Sequence, residues 1–152
     1  FKTDRGVTHE FVRHRLCSFA QESTRYVKYD GGMEVILPVW LSEELLGEYK
    51  GYGDFDPILL STDPEYLWLS SMMRSEDDYK ALMRCDGWKA QHARAVLPNS
   101  LKTEIVVKAN IREWRHIFKL RCSEFAHPQI EQLLSPLLGE LKVTLPVVFD
   151  DL

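Results

Sequence analysis

Proline and glycine cut this chain into short pieces, and that punctuation limits what it can fold into. Asp63-Pro64 is a strong helix start, an N-cap carboxylate followed by proline at the first helical position. Apolar residues at 66, 67, 69, 72, 73, 79, 82 and 83 keep roughly the helical period from there and predict a helix to Arg84, broken at Gly87. A short helix is expected from about Lys89 to Ala95, stopped by Leu97-Pro98. Two more are expected at Ile111 to Arg121, with Ile111, Trp114, Ile117 and Phe118 on one face, and from Pro128 to about Lys142. Strand character is confined to Phe1–Asp4, to Met33–Val39 with Pro38 marking its end, and to Ser100–Ala109. Gly6 permits a turn, and Asp4 or Thr8 is placed to cap a helix running to about Arg15. Residues 16–32 keep no period and read as a functional loop. Residues 40–62 read as irregular, with GEYKGYGDFDP an exposed connection. A few short strands among several helices give an α+β chain, a small mixed or antiparallel sheet with packed helices, in a single domain over residues 1–152.

With 152 residues, 45% of them hydrophobic, such a chain can bury a core without staples. Its longest apolar run, Val35 to Leu41, is interrupted by Pro38 and is too short to cross a bilayer, and no signal sequence is read, so no membrane partner is expected. Three cysteines without a CxxC spacing argue against a disulfide framework and a structural zinc site, and for a reducing, cytoplasmic setting. The sequence opens on Phe1 rather than an initiator methionine, and it is expected to be part of a longer chain. The net charge of −4 argues against nucleic-acid binding as the main activity. That average hides a segregation. Residues 1–28 hold six basic and three acidic side chains, residues 42–78 two and ten, and residues 88–121 eight and two. Two basic stretches flanking an acidic insert fit convergence on a small anionic ligand; the plainer reading is a solvated charge pattern. No GxGxxG or GxxxxGK[ST] loop is present, so a Rossmann or P-loop device does not hold that ligand.

The densest polar stretch is Arg13-His14-Arg15, followed after seven residues by Ser23-Thr24-Arg25-Tyr26. Guanidinium forks bind phosphate in bidentate fashion and stay charged when desolvated, and interleaved hydroxyls and loop amides complete an anion nest. The alternative is a helix end decorated with cations that complement its dipole. Ser23 invites a nucleophile role, yet no His–Asp pair sits at a spacing that makes a triad. His9, His92 and His127 have no ligand partners at useful spacing, and no metal site is expected. Arg115 and Lys119 read as a solvated face, and Trp114 and Phe118 as core.

The RHR-x7-S block resembles the signature of the flavin-dependent thymidylate synthases. Further matches follow in order: Arg94-Ala-Val-Leu-Pro98, Thr103, Asn110-Ile-Arg112, Leu120-Arg121 and Ala126-His-Pro-Gln-Ile130. The resemblance runs from about residue 1 to 135. It implies reductive methylation of deoxyuridylate (dUMP) to thymidylate (dTMP), with methylenetetrahydrofolate as carbon donor and NADPH-reduced FAD as hydride donor, in a homotetramer whose active sites form between subunits. It implies flavin contacts at Arg13, His14, Arg15, Leu16, Asn110, Arg112 and His116. It also implies nucleotide contacts at Arg13, Gln21, Ser23, Thr24, Arg25, Arg94 and Arg121, with Arg121 and Ser23 nearest the chemistry. Glu10 stands where a glutamine can bind the nucleotide, Gln21 and Thr24 where acidic and glycine residues are also common, and His116 where an amide can occur. Family members usually carry an N-terminal segment with further His- and Glu-containing flavin contacts, which this sequence is expected to lack. Two other readings stay open beside it: a non-catalytic flavin- or nucleotide-binding relative, and an oligomeric interaction protein whose arginines form interchain ion pairs.

Overall fold

The computed structural model describes residues 1–29, 31–49 and 62–152, and its helices and strands gather into two compact units. The first comprises Phe1–Gln21 and Glu104–Leu152, the second Glu22–Thr103.

The first unit is built on a three-stranded sheet. Strands β1 (Lys2–Asp4), β2 (Cys17–Gln21) and β3 (Lys102–Ala109) lie in the order β1-β3-β2. β2 and β3 pair antiparallel from Cys17 opposite Ala109 to Gln21 opposite Ile105. On the other side, Phe1 and Ile105 exchange both backbone hydrogen bonds at 2.8 and 2.9 Å, the mark of an antiparallel pair. The mixed α and β content with a small antiparallel sheet agrees with the fold class expected from the sequence. The loop expected over residues 16–32 is corrected at its start. Cys-Ser-Phe-Ala-Gln alternates inward and outward side chains and pairs with β3 along its whole length.

Helix α1 (Arg5–Phe11) follows β1 directly, because the Asp4 carboxylate accepts the Val7 amide at 2.7 Å. Gly6 therefore lies inside the helix rather than in a turn. The helix also ends at Phe11, not near Arg15. Val12 N still donates to Thr8 O, and the two amides after it bond back over three residues, Arg13 to Glu10 and His14 to Phe11, which tightens the chain into a turn. Helices α4 (Ile111–Arg121), α5 (Pro128–Thr144) and α6 (Pro146–Phe149) complete the unit. α4 starts at the Asn110 cap, whose side chain accepts the Glu113 amide at 2.8 Å, and α5 starts at the His127 cap with proline in its first turn. Ile117 and Phe118 of α4, Ile130, Leu134 and Leu138 of α5, Phe149 of α6 and Val7, Phe11 and Ile105 form the core. Each such side chain is worth about 1.5–3 kcal/mol when fully buried. Trp114 packs on Phe118 at 5.6 Å between ring centroids, as core residues do. Ile111 does not join them; it is exposed, and the buried position of that first turn belongs to Glu113.

In the second unit, α2 (Pro64–Met83) opens on the Asp63 cap as the sequence predicts, with Glu65 N donating to Asp63 at 2.9 Å. Gly87, at φ +78°, takes the left-handed turn beyond the helix end that a side chain disfavours. The short helix α3 (Ala90–Ala93) runs into a 3₁₀ turn at Arg94–Val96, and a second 3₁₀ turn lies at Glu43–Leu45. Met33–Val39 does not form the expected strand. It holds a single bridge, Val35 opposite Leu101, flanked by Ile36 N to Ser100 O and Lys102 N to Glu34 O, and among the described residues the ladder goes no further. Leu45, Leu69 and Met73 make a small core with Leu37, Leu41 and Trp68. Most of the GEYKGYGDFDP stretch lies outside the described residues.

Candidate functional site

In the first unit the turn after α1 lowers His14 into the interior, 5% exposed, against the side of α4. There its Nδ1 lies 3.4 Å from Glu113 Oε1, and its Nε2 accepts from Arg121 Nε at 3.2 Å. Arg121, eight residues beyond Glu113 on the same helix, also donates from NH1 to the Glu10 carboxylate and from NH2 to the Glu10 carbonyl at 3.2 Å. Two of its five N–H donors are left without a protein acceptor among the described residues. The His116 ring meets His14 edge-on at 5.9 Å.

The electrostatics follow from this burial. Desolvation and the Arg121 charge hold the His14 pKa below its ordinary value, against the opposing pull of Glu113, so the ring is neutral near pH 7. His14, Glu113 and His116 present possible ligand atoms within 4.8 Å of one another. A metal on His14 would nevertheless need a bare nitrogen. Nε2 already accepts from Arg121, so the ring proton of the neutral imidazole sits on Nδ1. Burial raises the Cys17 and Cys122 thiols, so neither is an activated nucleophile.

Arg13, Arg15 and Arg112 carry exposed guanidinium groups with no side-chain partner among the described residues. Leu16 beside them in sequence is 71% exposed. Unsatisfied guanidinium groups and a bare apolar side chain are a donor set suited to an anionic aromatic cofactor. Asn110 commits its carbonyl to the α4 cap, and Gln21 donates from Nε2 to Thr8 at 2.9 Å.

The second unit holds the other expected contacts. Ser23 begins a turn: its Oγ accepts the Arg25 amide at 3.3 Å, and its carbonyl accepts from Tyr26 and Val27. Thr24 is buried and accepts from Arg94 NH1 at 3.4 Å, joining two expected residues seventy positions apart. Arg25 is exposed, its guanidinium carbon 5.5 Å from the Tyr26 ring centroid.

The family model described as thymidylate synthase complementing protein matches residues 1–147. The chain belongs to that family. Flavin-dependent thymidylate synthases of Geobacter sulfurreducens, Corynebacterium glutamicum and Corynebacterium efficiens are 34%, 36% and 38% identical to it over 148, 147 and 152 residues. Each alignment takes in 97% of this chain and 56 or 57% of the relative, so the chain spans about half the length of the curated relatives it matches.

Within this member of the thymidylate synthase complementing protein family, His14 joins Arg121 and Thr24 joins Arg94, pairings that the motif spacing alone does not give. The sequence reading missed Glu113. A signal was present: Glu113 lies four residues before Ile117, so it points a carboxylate along the apolar face of α4, where a charge needs a partner. Arg115 also departs from the expected solvated face. It makes two 2.6 Å bonds to Asp151 and donates to the Val148 carbonyl.

Proposed function

We propose that this protein is a flavin-dependent thymidylate synthase, converting dUMP to dTMP with methylenetetrahydrofolate as carbon donor and NADPH as reductant. The observation that carries this reading is Arg121, half-buried, held by His14 and Glu10 and still offering two N–H groups to an anion. The nucleotide-binding residues in this reading are Arg13, Gln21 and Arg121 of the first unit and Ser23, Thr24, Arg25 and Arg94 of the second. FAD would be held by Arg13, Arg15, Arg112 and His116 through charge and hydrogen bonding, by Leu16 and the His14 ring through contact, and by Asn110 through its amide N–H groups. A bound flavin supplies the hydride chemistry that no side chain here can perform. The chain's own residues bind, orient and stabilise. Guanidinium groups fix the phosphate, and a cation beside the uracil stabilises negative charge as its C5 becomes nucleophilic. Ser23 binds substrate. The turn uses its Oγ as an acceptor, and no histidine bonds to it among the described residues.

In this reading the working protein is a cytoplasmic homotetramer with sites shared between subunits; the three free cysteines fit a reducing setting. Among the described residues no helix is long and apolar enough to cross a membrane. The deciding experiment is the visible spectrum and turnover of the purified protein. Flavin absorbance, with NADPH consumed and dTMP formed only when dUMP and methylenetetrahydrofolate are both present, is the expected result. A yellow protein without turnover would leave a non-catalytic flavin-binding relative. A colourless protein with no dUMP-induced thermal shift would leave an interaction protein.

A further inference from the structure

We propose that Glu113 is a positioning residue for Arg121, acting through the His14 imidazole to fix where the guanidinium points. The proposal rests on the reading of Arg121 as a nucleotide-binding group. Its physical basis is a chain of hydrogen bonds with only one consistent direction. Arg121 Nε carries a hydrogen and no lone pair, so at 3.2 Å from His14 Nε2 it must be the donor. The ring nitrogen facing it is therefore bare, and the hydrogen of a neutral imidazole sits on Nδ1. Glu113 Oε1, 3.4 Å away, is the acceptor that takes it. In the opposite tautomer two N–H groups would face each other across the Arg121 contact, and Glu113 would face a lone pair. Choosing the His14 tautomer and choosing the Arg121 orientation are thus one event, and Glu113 makes the choice.

The surroundings make the choice matter. His14 and Glu113 are 5% and 7% exposed, so water is poorly placed to replace either partner. Glu113 is anchored by its place in the first turn of α4, with its amide tied to the Asn110 cap and the positive helix end favouring its carboxylate. Arg121 closes the same helix, so α4 carries both ends of the chain and His14 spans the gap. Glu10 fixes the guanidinium from its other side, which leaves two N–H groups aimed by protein contacts rather than by the ligand. Glu113 itself need not touch the nucleotide for its loss to be felt.

The test uses the full chain labelled with ¹⁵N. Long-range proton–nitrogen spectra are expected to show His14 as the Nδ1–H tautomer, with a slowly exchanging Arg121 Nε–H. A wild-type ring carrying its hydrogen on Nε2 overturns the proposal without any variant. Glu113→Ala should shift His14 toward the other tautomer, speed Arg121 Nε–H exchange and weaken dUMP binding about tenfold in calorimetry. Glu113→Gln, whose amide oxygen can accept the same hydrogen, should keep the tautomer and bind within about threefold of wild type. In Glu113→Ala/Arg121→Ala the loss should not exceed that of Arg121→Ala alone. Additive losses, or an unchanged tautomer in Glu113→Ala, would sink the positioning role. If the wild type has the expected tautomer and a protected Arg121 but binds no dUMP, the functional reading fails and the positioning stands.

Discussion

Arg121 in the first unit and Arg25 with Arg94 in the second hold their guanidinium groups in opposite ways. In the first unit Arg121 has three of its five donors fixed by His14 and Glu10, and its orientation is settled before any ligand arrives. In the second unit Arg25 projects from the Ser23 turn with, among the described residues, only the Tyr26 ring beside it, and Arg94 reaches Thr24 across 3.4 Å, near the limit of a hydrogen bond. A fixed guanidinium binds an anion without losing much rotamer freedom, whereas a free one gives up about 1–2 kcal/mol on being ordered. The difference teaches that the same residue type serves as a preorganised grip in one place and an adaptable clasp in the other. It also separates stability from affinity, because replacing Arg121 abandons hydrogen bonds to His14 and Glu10, whereas replacing Arg25 gives up a ring contact.

The largest effect is therefore expected at Arg121. Replacing it with alanine should weaken dUMP binding at least tenfold, about 1.4 kcal/mol. It should also lower folding stability by about 1–3 kcal/mol, since His14 Nε2 is left buried without its donor. Calorimetry and urea denaturation read the two separately. Arg25→Ala should match the tenfold loss of affinity and leave the denaturation midpoint within about 0.5 kcal/mol of wild type, as surface changes do. Equal stability losses in the two variants would erase the distinction between grip and clasp.

How far the sequence foretold this depends on how local each determinant is. Asp63-Pro64 and Asn110 define the starts of α2 and α4 because the cap bonds its own helix within three residues. The RHR motif was legible as chemistry but misplaced as structure. It lies in a turn, since His14 is drawn inward by Glu113 and Arg121, about a hundred positions away. β2 was hidden for a similar reason: five residues give too little alternation to read, and its partner β3 lies more than eighty positions on. Met33–Val39 shows the converse, strand propensity that among the described residues yields only one bridge. Of the site, the residue types were visible, while the Glu113–His14–Arg121 chain joins a turn and a helix about a hundred positions apart.

The next prediction tests the buried side of the comparison through pH. Folding holds the His14 pKa below its ordinary value near 6.5, chiefly by burial and then by Arg121. The unfolded chain therefore takes up a proton on acidification before the folded chain does. The His14 contribution should be flat above about pH 7 and fall as pH drops below about 6.5, with a slope of at most about 1.4 kcal/mol per pH unit. In His14→Gln that part of the slope should vanish in urea titrations run at about pH 7 and pH 5.5. A slope unchanged from wild type would mean that the ring is not held neutral by its surroundings.

The smallest effect is expected at Asp151, and it sets the lower bound of the comparison. Arg115 and Arg121 share α4, and by geometry alone Arg115 has the better pair, two parallel 2.6 Å bonds to one carboxylate. That pair holds the Asp151 carboxyl down to about 2 from its ordinary value of 3.8. Its contribution is thus complete above about pH 4 and lost only as the pH falls through about 2. Yet the two side chains are 33% and 68% exposed, so water and salt screen the attraction that geometry favours. Asp151→Asn should lower the melting temperature by no more than about 2 °C at neutral pH, and by less in 0.5–1 M salt. A loss as large as that of Arg121→Ala would show that bond geometry, rather than burial, ranks the arginines of this helix.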